Sequence, residues 1–378
     1  MMTKLLIIVA LVSLLAPLSC RTRPGRVAIG IALTVDNHSA AELAAKEIND
    51  SGGIDGIPIE LLGLDWKVVT DFKSEDIIKY STEFAETRDL VAVIGHSDSA
   101  STLSAAAFYN QQRVPQLVTI ATNPAITNIG NWTYRLCLSD AIQGVEMADY
   151  AVKDWGKKNI CVFYVNDAYG KGVSEVFEGE VRKLGARIVA SRPHRNVLTD
   201  EDKQMIDATL ANLKESEAPD LFVLFQRMAA ADWTIDSVRR TGFKSDILGG
   251  DNLGQIRFLG MTPENKDGIR VSEFYFPSTD DSKAMKFATS IRETAGVEAD
   301  YGLAFAYDAV YLVRDAVVKY GFSRDAVKKY LDELIAGKTV INGAGGKFLL
   351  APDHDARRTM YIVEARGGRY EQLKALTP

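Results

Sequence analysis

Strand-length apolar runs alternate with helical patterns of roughly ten to fifteen residues along almost the whole chain, and this rhythm leaves few folds open. Residues 27–33 form the first apolar run. Residues 40–49 follow with helical spacing, and Ser51-Gly52-Gly53 stops them as a glycine C-cap does. Residues 59–64, 91–95 and 116–120 read as strands, with helices over 74–87 and 101–112 between them. Strands joined by helices imply βαβ units on a parallel sheet. The rhythm restarts after Asp140, with helices over 142–154, 172–184, 204–214 and 229–241 and strands at 160–165, 187–190, 221–225 and 246–249. A strand at 269–276, helices near 282–294, 301–320 and 323–335, and late strands at 340–350 and 358–364 complete the reading. At 378 residues the chain exceeds what one core usually organises. The expectation is an α/β fold of two Rossmann-like lobes with parallel sheets.

The first twenty residues stand apart. Lys4 precedes an apolar stretch over 5–16, too short to span a bilayer comfortably and suited to the h-region of a secretory signal. Ala16-Pro17-Leu18-Ser19-Cys20 then resembles a bacterial lipobox, with Pro17 where an aliphatic residue is usual. On this reading residues 1–20 are a signal peptide, Cys20 is lipidated, and the protein is periplasmic or on the extracellular face, anchored through that lipid. Plain signal cleavage near Ser19 is the alternative.

Charge and motifs narrow the chemistry by exclusion. With 44 basic and 50 acidic residues and no basic run, the chain is a poor binder of nucleic acid. The segment Asn342-Gly343-Ala344-Gly345-Gly346-Lys347-Phe348 has the wrong spacing for a P-loop and lacks the Ser/Thr that would hold Mg²⁺. The sequence around Ser97 is not a hydrolase elbow. The first strand–helix turn, Thr34-Val35-Asp36-Asn37-His38, has no dinucleotide glycines. His38, His96, His194 and His354 show no metal spacing. Cys137 and Cys161 can be read as a disulfide or as two buried thiols. No catalytic site, cofactor or metal is expected.

Glu47-Ile48-Asn49, followed by Gly52-Gly53-Ile54 and Gly56, resembles the E-I-N-x-x-G-G-I-x-G segment of type I periplasmic binding proteins, in the leucine/isoleucine/valine-binding branch that serves ABC importers. Further matches fall in order. They are Val93-Ile94-Gly95 and its Ser-rich loop, Ala121-Thr122-Asn123-Pro124 with Thr127, and Tyr134-Arg135 with Asp140 and Gln143. Asn166-Asp167 with Tyr169-Gly170 and Gly172, Gly242-Phe243, and Gly249-Gly250-Asp251 follow. Each motif alone is weak; their joint order and spacing carry the resemblance. It implies lobes joined by a three-crossover hinge, with ligand held between them at the carboxyl ends of the strands. Mapped here, lobe I is 26–140 plus 275–354 and lobe II is 141–274 plus 355–378, with crossings near Asp140, Phe274 and Asp355.

The resemblance also implies a site. Ser99 and Thr122, in loops after strands of lobe I, with Ala121 offering backbone groups, would take an α-carboxylate and part of an ammonium. As helix caps they would be ordinary. Asp251 matches the family's acidic position for the ammonium, and Asp140 a second one used in the receptor branch. Tyr169 matches the lobe II aromatic that closes over ligand. Arg227 stands where the branched-chain group has an aromatic, and Asp98 replaces a small or apolar residue. A polar or charged side-chain pocket is therefore expected, with Arg227 pairing either an anionic ligand group or one of Asp98 and Asp232. Trp66 is read as a ligand-facing wall or a surface residue. The implied function is capture of an amino acid or close derivative and its delivery to an ABC permease, with membrane contact only through the lipid. The alternatives are the same fold binding an amide, urea or aromatic acid, or a ligand-sensing module for a membrane receptor.

Overall fold

The computed structural model describes residues 24–63 and 74–377, so Cys20 and Trp66 lie outside the described residues. Two parallel-stranded sheets organise it. The first contains β1 (Val27–Ala32), β2 (Ile59–Gly63), β3 (Leu90–Gly95), β4 (Gln116–Val118) and β5 (Thr133–Arg135) in the order β2-β1-β3-β4-β5. All four pairings are parallel. The helices α1 (Val35–Asp50), α2 (Ser74–Glu86) and α3 (Ser99–Gln112) connect its first four strands. Every residue of β1 and β3 is buried, as expected for central strands covered on both faces, and both therefore read as unbroken apolar runs.

Helix α4 (Asp140–Asp149), continued by a π-turn over Tyr150–Asp154, leads to the second sheet. Its parallel part is β6 (Asn159–Val165), β7 (Arg187–His194), β8 (Leu221–Phe225), β9 (Asp246–Gly249) and β10 (Arg270–Glu273). The connections run through α5 (Ala168–Lys183), α6 (Asp200–Glu215), α7 (Met228–Arg240) and the single turn α8 (Ile256–Leu259). After β10 the chain returns to the first sheet. There α9 (Ser282–Ala295), α10 (Tyr301–Tyr320) and α11 (Arg324–Ala336) follow, and α10 packs on α1 and β3. An antiparallel trio, β11 (Ile341–Gly343), β12 (Gly346–Leu350) and β13 (Ala356–Arg358), comes next. Finally β14 (Met360–Arg366) and β15 (Arg369–Leu376) add antiparallel strands beside β10, giving the order β15-β14-β10-β9-β8-β6-β7.

Several elements differ from expectation for local reasons. β5 is only three residues long, and β15 lies at a sheet edge with no buried residue, so neither shows an apolar run. The strand expected over 340–350 is a hairpin, β11 and β12, turning at residues 343–346. Ser99 belongs to the first turn of α3 and not to a loop, because the Asp98 side chain accepts from Ser101 N at 2.9 Å and starts the helix earlier. Cys137 and Cys161 are both free and buried.

The Glu47–Gly56 segment holds the frame. The Asn49 side chain receives Ile59 N and donates to Ile59 O, both at 2.8 Å, which pins the start of β2 to α1. Glu47 accepts from the hydroxyls of Tyr307 and Tyr311 on α10. Gly53 sits at φ +70°, and a β-carbon there would also strike the Ile57 carbonyl, so no other residue fits without strain.

Candidate functional site

The strand–helix loops of both sheets open towards one another, at the carboxyl ends where open α/β sheets gather ligands. From the first sheet come Ser99, Ala121, Thr122 and Asp140, all buried. Ser99 Oγ accepts from Asn123 N at 3.4 Å, and the Thr122 carbonyl accepts from Asp140 N at 2.8 Å, so these residues form one continuous ledge. Ala121 turns its carbonyl to the Cys137 thiol at 3.5 Å. Arg135 supports the ledge from below: its Nη1 donates to the Asn123 carbonyl at 2.7 Å while its other edge grips Asp355.

From the second sheet come Tyr169, Arg227 and Asp251. Asp251 follows β9 and is 2% exposed, yet its carboxylate is fully engaged. Oδ1 accepts from Gln143 Nε2 at 3.0 Å and from the Tyr169 hydroxyl at 2.9 Å. Oδ2 accepts from the Tyr301 hydroxyl at 2.7 Å. Burial and then the Asp251 charge hold both tyrosines protonated, well above the usual phenol range, so they remain donors. Tyr301 is the first residue of α10, fifty positions along the chain from Asp251, and no motif or spacing pointed to it.

Asp140 is the opposite case. It opens α4, is completely buried, and neither carboxylate oxygen has a hydrogen-bond partner. Burial first and the negative charge of Asp251 second push its carboxyl well above the usual aspartate range, against the weaker pull of Thr122 and Arg135. Gln143 Oε1 and Ser97 Oγ are also buried without partners. A buried anion with no donor costs free energy unless something cationic meets it. The arrangement can therefore take a small molecule bearing a positive charge beside Asp140 and an anionic group beside the Ser99–Thr122 ledge.

Arg227 meets neither Asp98 nor Asp232, which corrects the two pairings expected for it. Asp98 caps α3, and Asp232 is taken by Lys266 and by the Thr262 hydroxyl. The Arg227 guanidinium pairs with Asp167 at 3.0 Å, lies over the Tyr169 ring at 5.2 Å from its centroid, and is 31% exposed. It braces the aromatic that reaches Asp251, because α5 and α7 start side by side at the ends of β6 and β8. Trp66 falls outside the described residues.

The two halves touch across the site. Asn123 Nδ2 donates to the Ala168 carbonyl at 2.5 Å, Arg257 pairs with Asp36 at 3.0 Å, and Tyr301 reaches Asp251. A cavity of about 400 Å³ lies on the flank of this contact, lined by Asp36, Arg257, Glu273 and Asp300 and not by the Ser99–Thr122 ledge. The ledge and the acidic pair are the better site because Asp140, which hydrogen-bonds to Thr122 O through its backbone N–H, carries a buried carboxylate without a hydrogen-bond partner. No group of residues able to hold a metal ion occurs among the described residues.

Comparison with known proteins gives the family and the fold. The sequence matches the family described as "Periplasmic binding protein" over residues 31–369. It is 27% identical over 335 residues to the Leu/Ile/Val-binding protein homolog 1 of Brucella abortus, covering 83% of this chain and 84% of that one. Among solved structures, the branched-chain amino acid transporter substrate binding protein LivJ of Streptococcus pneumoniae, in complex with isoleucine, superposes with a TM-score of 0.82 at 24% identity. That match covers 93% of this chain and all of the other. A solute binding protein of an ABC transporter from Rhodopseudomonas palustris, in complex with 3,4-dihydroxy benzoic acid, gives 0.79 at 17% identity, covering 94% of this chain and 98% of the other.

Proposed function

The chain belongs to the periplasmic binding protein family, of the type I fold that serves branched-chain amino acid transporters, and from that premise we propose that it captures an amino acid or a close derivative for an ABC permease. The family is one of solute-binding proteins and not of enzymes, and it works on the periplasmic or extracellular side of the membrane. Among the described residues no helix is long and apolar enough to cross a membrane. In this reading lobe I is 26–140 with 275–354, lobe II is 141–274 with 355–378, and Cys20 carries the lipid, which the intact mass of the mature chain checks.

The observation that carries the proposal is the unmet Asp140 carboxylate beside Asp251. The ligand's ammonium meets Asp140. Its carboxylate lies on Ser99, Thr122 and the Ala121 backbone, and Tyr169, braced by Arg227, closes over it. Binding biases an open–closed equilibrium towards the closed form.

The test is a thermal-shift panel on chain stripped of bound ligand, holding the twenty amino acids, small amides, urea and aromatic acids. Ligand at a hundred times its Kd stabilises by about 2.7 kcal/mol. We expect a raised Tm with an α-amino acid and none with its deaminated analogue. A rise confined to amides, urea or aromatic acids would overturn the amino acid reading in favour of another solute.

Closure itself makes a second prediction. Gly172 lies against Asn123, and a β-carbon there would approach Asn123 Nδ2 to 2.8 Å. Gly172 is inside α5, where a larger residue is not disfavoured by helix propensity. Gly172→Leu is expected to hold the halves apart, weakening ligand binding at least roughly tenfold, about 1.4 kcal/mol. The Tm of the unliganded protein should stay near wild type. Unchanged affinity by calorimetry would show that this contact is not part of closure.

A further inference from the structure

The cavity of about 400 Å³ beside the contact of the two halves is walled by Asp36 and Asp300 from the first and by Gly254 and Tyr370 from the second. The end of β10 and the passage after it add Glu273, Tyr275 and Phe276. Most charges on this wall cancel locally. Arg257 pairs with Asp36 at 3.0 Å, Arg369 with Glu371 at 3.4 Å, and Glu298 with Arg292 at 2.7 Å. Glu273 and Asp300 are left over, since neither forms an ion pair with a lysine or arginine among the described residues. The Arg257 charge does reach Asp300, against the stronger effect of burial. On Glu273 the neighbouring charges that act are those of Asp300 and Asp251, both negative. Together with burial, the largest cause, they push its carboxyl well above the usual glutamate range, against the hydrogen bonds from Phe274 and Tyr275.

Glu273 is 4% exposed, and its two oxygens differ. Oε1 accepts from Phe274 N at 2.7 Å and from Tyr275 N at 3.1 Å. Oε2 accepts no hydrogen bond, yet it is not sealed from solvent as the Asp140 oxygens are. It lies against Gly254, another residue of the cavity wall, where a β-carbon would fall 2.0 Å from it. A largely buried carboxyl with one oxygen unmet is an acceptor waiting for a donor, and a cation answers it best. Asp300 stands on the same wall, its Oδ1 accepting from Leu303 N at 2.9 Å as the cap of α10. One open oxygen on Glu273 suits the N–H of an ammonium, whereas a guanidinium grips best with two parallel bonds. The rings of Tyr275, Phe276 and Tyr370 line the same space, and aromatic carbon holds alkylammonium groups well.

We propose that this cavity binds a small organic ammonium ion, whose N–H groups meet Glu273 Oε2 and Asp300 while its alkyl part lies against Tyr275, Phe276 and Tyr370. The site is separate from the Ser99–Thr122 ledge and makes no use of Asp140. Because its wall comes from both halves, one bound ammonium touches both at once.

The experiment titrates butylammonium chloride, against sodium chloride at equal ionic strength, into nitrogen-15-labelled mature chain stripped of bound ligand. It follows the amide resonances of Phe274 and Tyr275, whose N–H groups report on Glu273. Both are expected to move saturably. Glu273→Gln keeps the Oε1 acceptor and removes the charge, and is expected to weaken binding at least about tenfold. Asp140→Asn is expected to retain it. Resonances that stay put, or an unchanged titration in Glu273→Gln, would overturn the site. Movement lost in Asp140→Asn and kept in Glu273→Gln would place the ammonium beside Asp140, sinking this site while the amino acid reading stands. Should Glu273→Gln fail to fold, Asp300→Asn, which still caps a helix, takes its place with the same expectation, and unchanged affinity there overturns the inference.

Discussion

Asp140→Asn is expected to raise the Tm of the unliganded protein and, in the same variant, to weaken amino acid binding by about 30- to 5,000-fold, or 2–5 kcal/mol. The two effects share one cause. Asp140 is fully buried beside Asp251, with only the weaker pull of Thr122 and Arg135 in its favour, so its charge opposes folding until a cation arrives. Asparagine keeps the shape and removes the charge, relieving the empty site and depriving the ammonium of its partner. A purely structural aspartate would move both quantities the same way. Calorimetric affinity and Tm measured on one preparation therefore separate the readings, and a destabilised variant with unchanged affinity would sink this one.

Acidity gives an independent check on the same residue. Because the native Asp140 carboxyl titrates above its unfolded value, the native state binds more protons than the unfolded state between the two. Its contribution thus favours the unliganded fold at low pH and is lost as pH rises past the ordinary aspartate range, near 4, through the raised native value. Asp140→Asn should flatten that part of the stability profile. Affinity for an amino acid should run the other way, falling on acidification as Asp140 protonates. Asp251 behaves differently under mutation. Asp251→Ala strands two tyrosine hydroxyls and removes one of the two hydrogen bonds of the Gln143 amide, so it should lose stability as well as affinity.

Asp355→Ala is expected to destabilise the protein by about 3–5 kcal/mol in a denaturant titration, the range for a buried charge left without its partner. Arg135 is 0% exposed, and Asp355 lies 220 positions further along the chain. Replacing both, as Arg135→Met with Asp355→Leu, should recover much of that loss, because an apolar pair of similar volume need not be less stable than a buried ion pair. The double variant should still bind ligand weakly, since Arg135 Nη1 also holds the Asn123 carbonyl and thereby the Thr122 ledge. Additive losses in stability would mean that the two side chains act separately.

Much of the scaffold was legible in the sequence because central strands and amphipathic helices write their burial into local periodicity. β1, β3, β6 and α10 are of this kind, buried by their neighbours wherever those neighbours come from. The edge strand β15 and the three-residue β5 were not legible, because their pairing comes from distant strands and leaves little trace in their own composition. The Glu47–Gly56 motif carried the family resemblance, yet its work is to tie α1 to β2 and α10.

At the site, residue types and their order were enough to nominate Ser99, Thr122, Asp140, Tyr169 and Asp251, since loops at the carboxyl ends of strands follow directly from the βαβ rhythm. Which of two aspartates is satisfied was not. That depends on Tyr301, Gln143 and Tyr169 converging on Asp251 from α10, α4 and α5, while Asp140 feels only the weaker pull of Thr122 and Arg135. The partner of Arg227 was decided in the same way, by α5 and α7 starting next to each other. Local sequence determines which segments become strands and helices because burial repeats at fixed periods. Hydrogen-bond partners fifty or two hundred residues apart are decided only when the packed sheets bring them within 3 Å, and the charge state of a buried carboxylate depends on those partners.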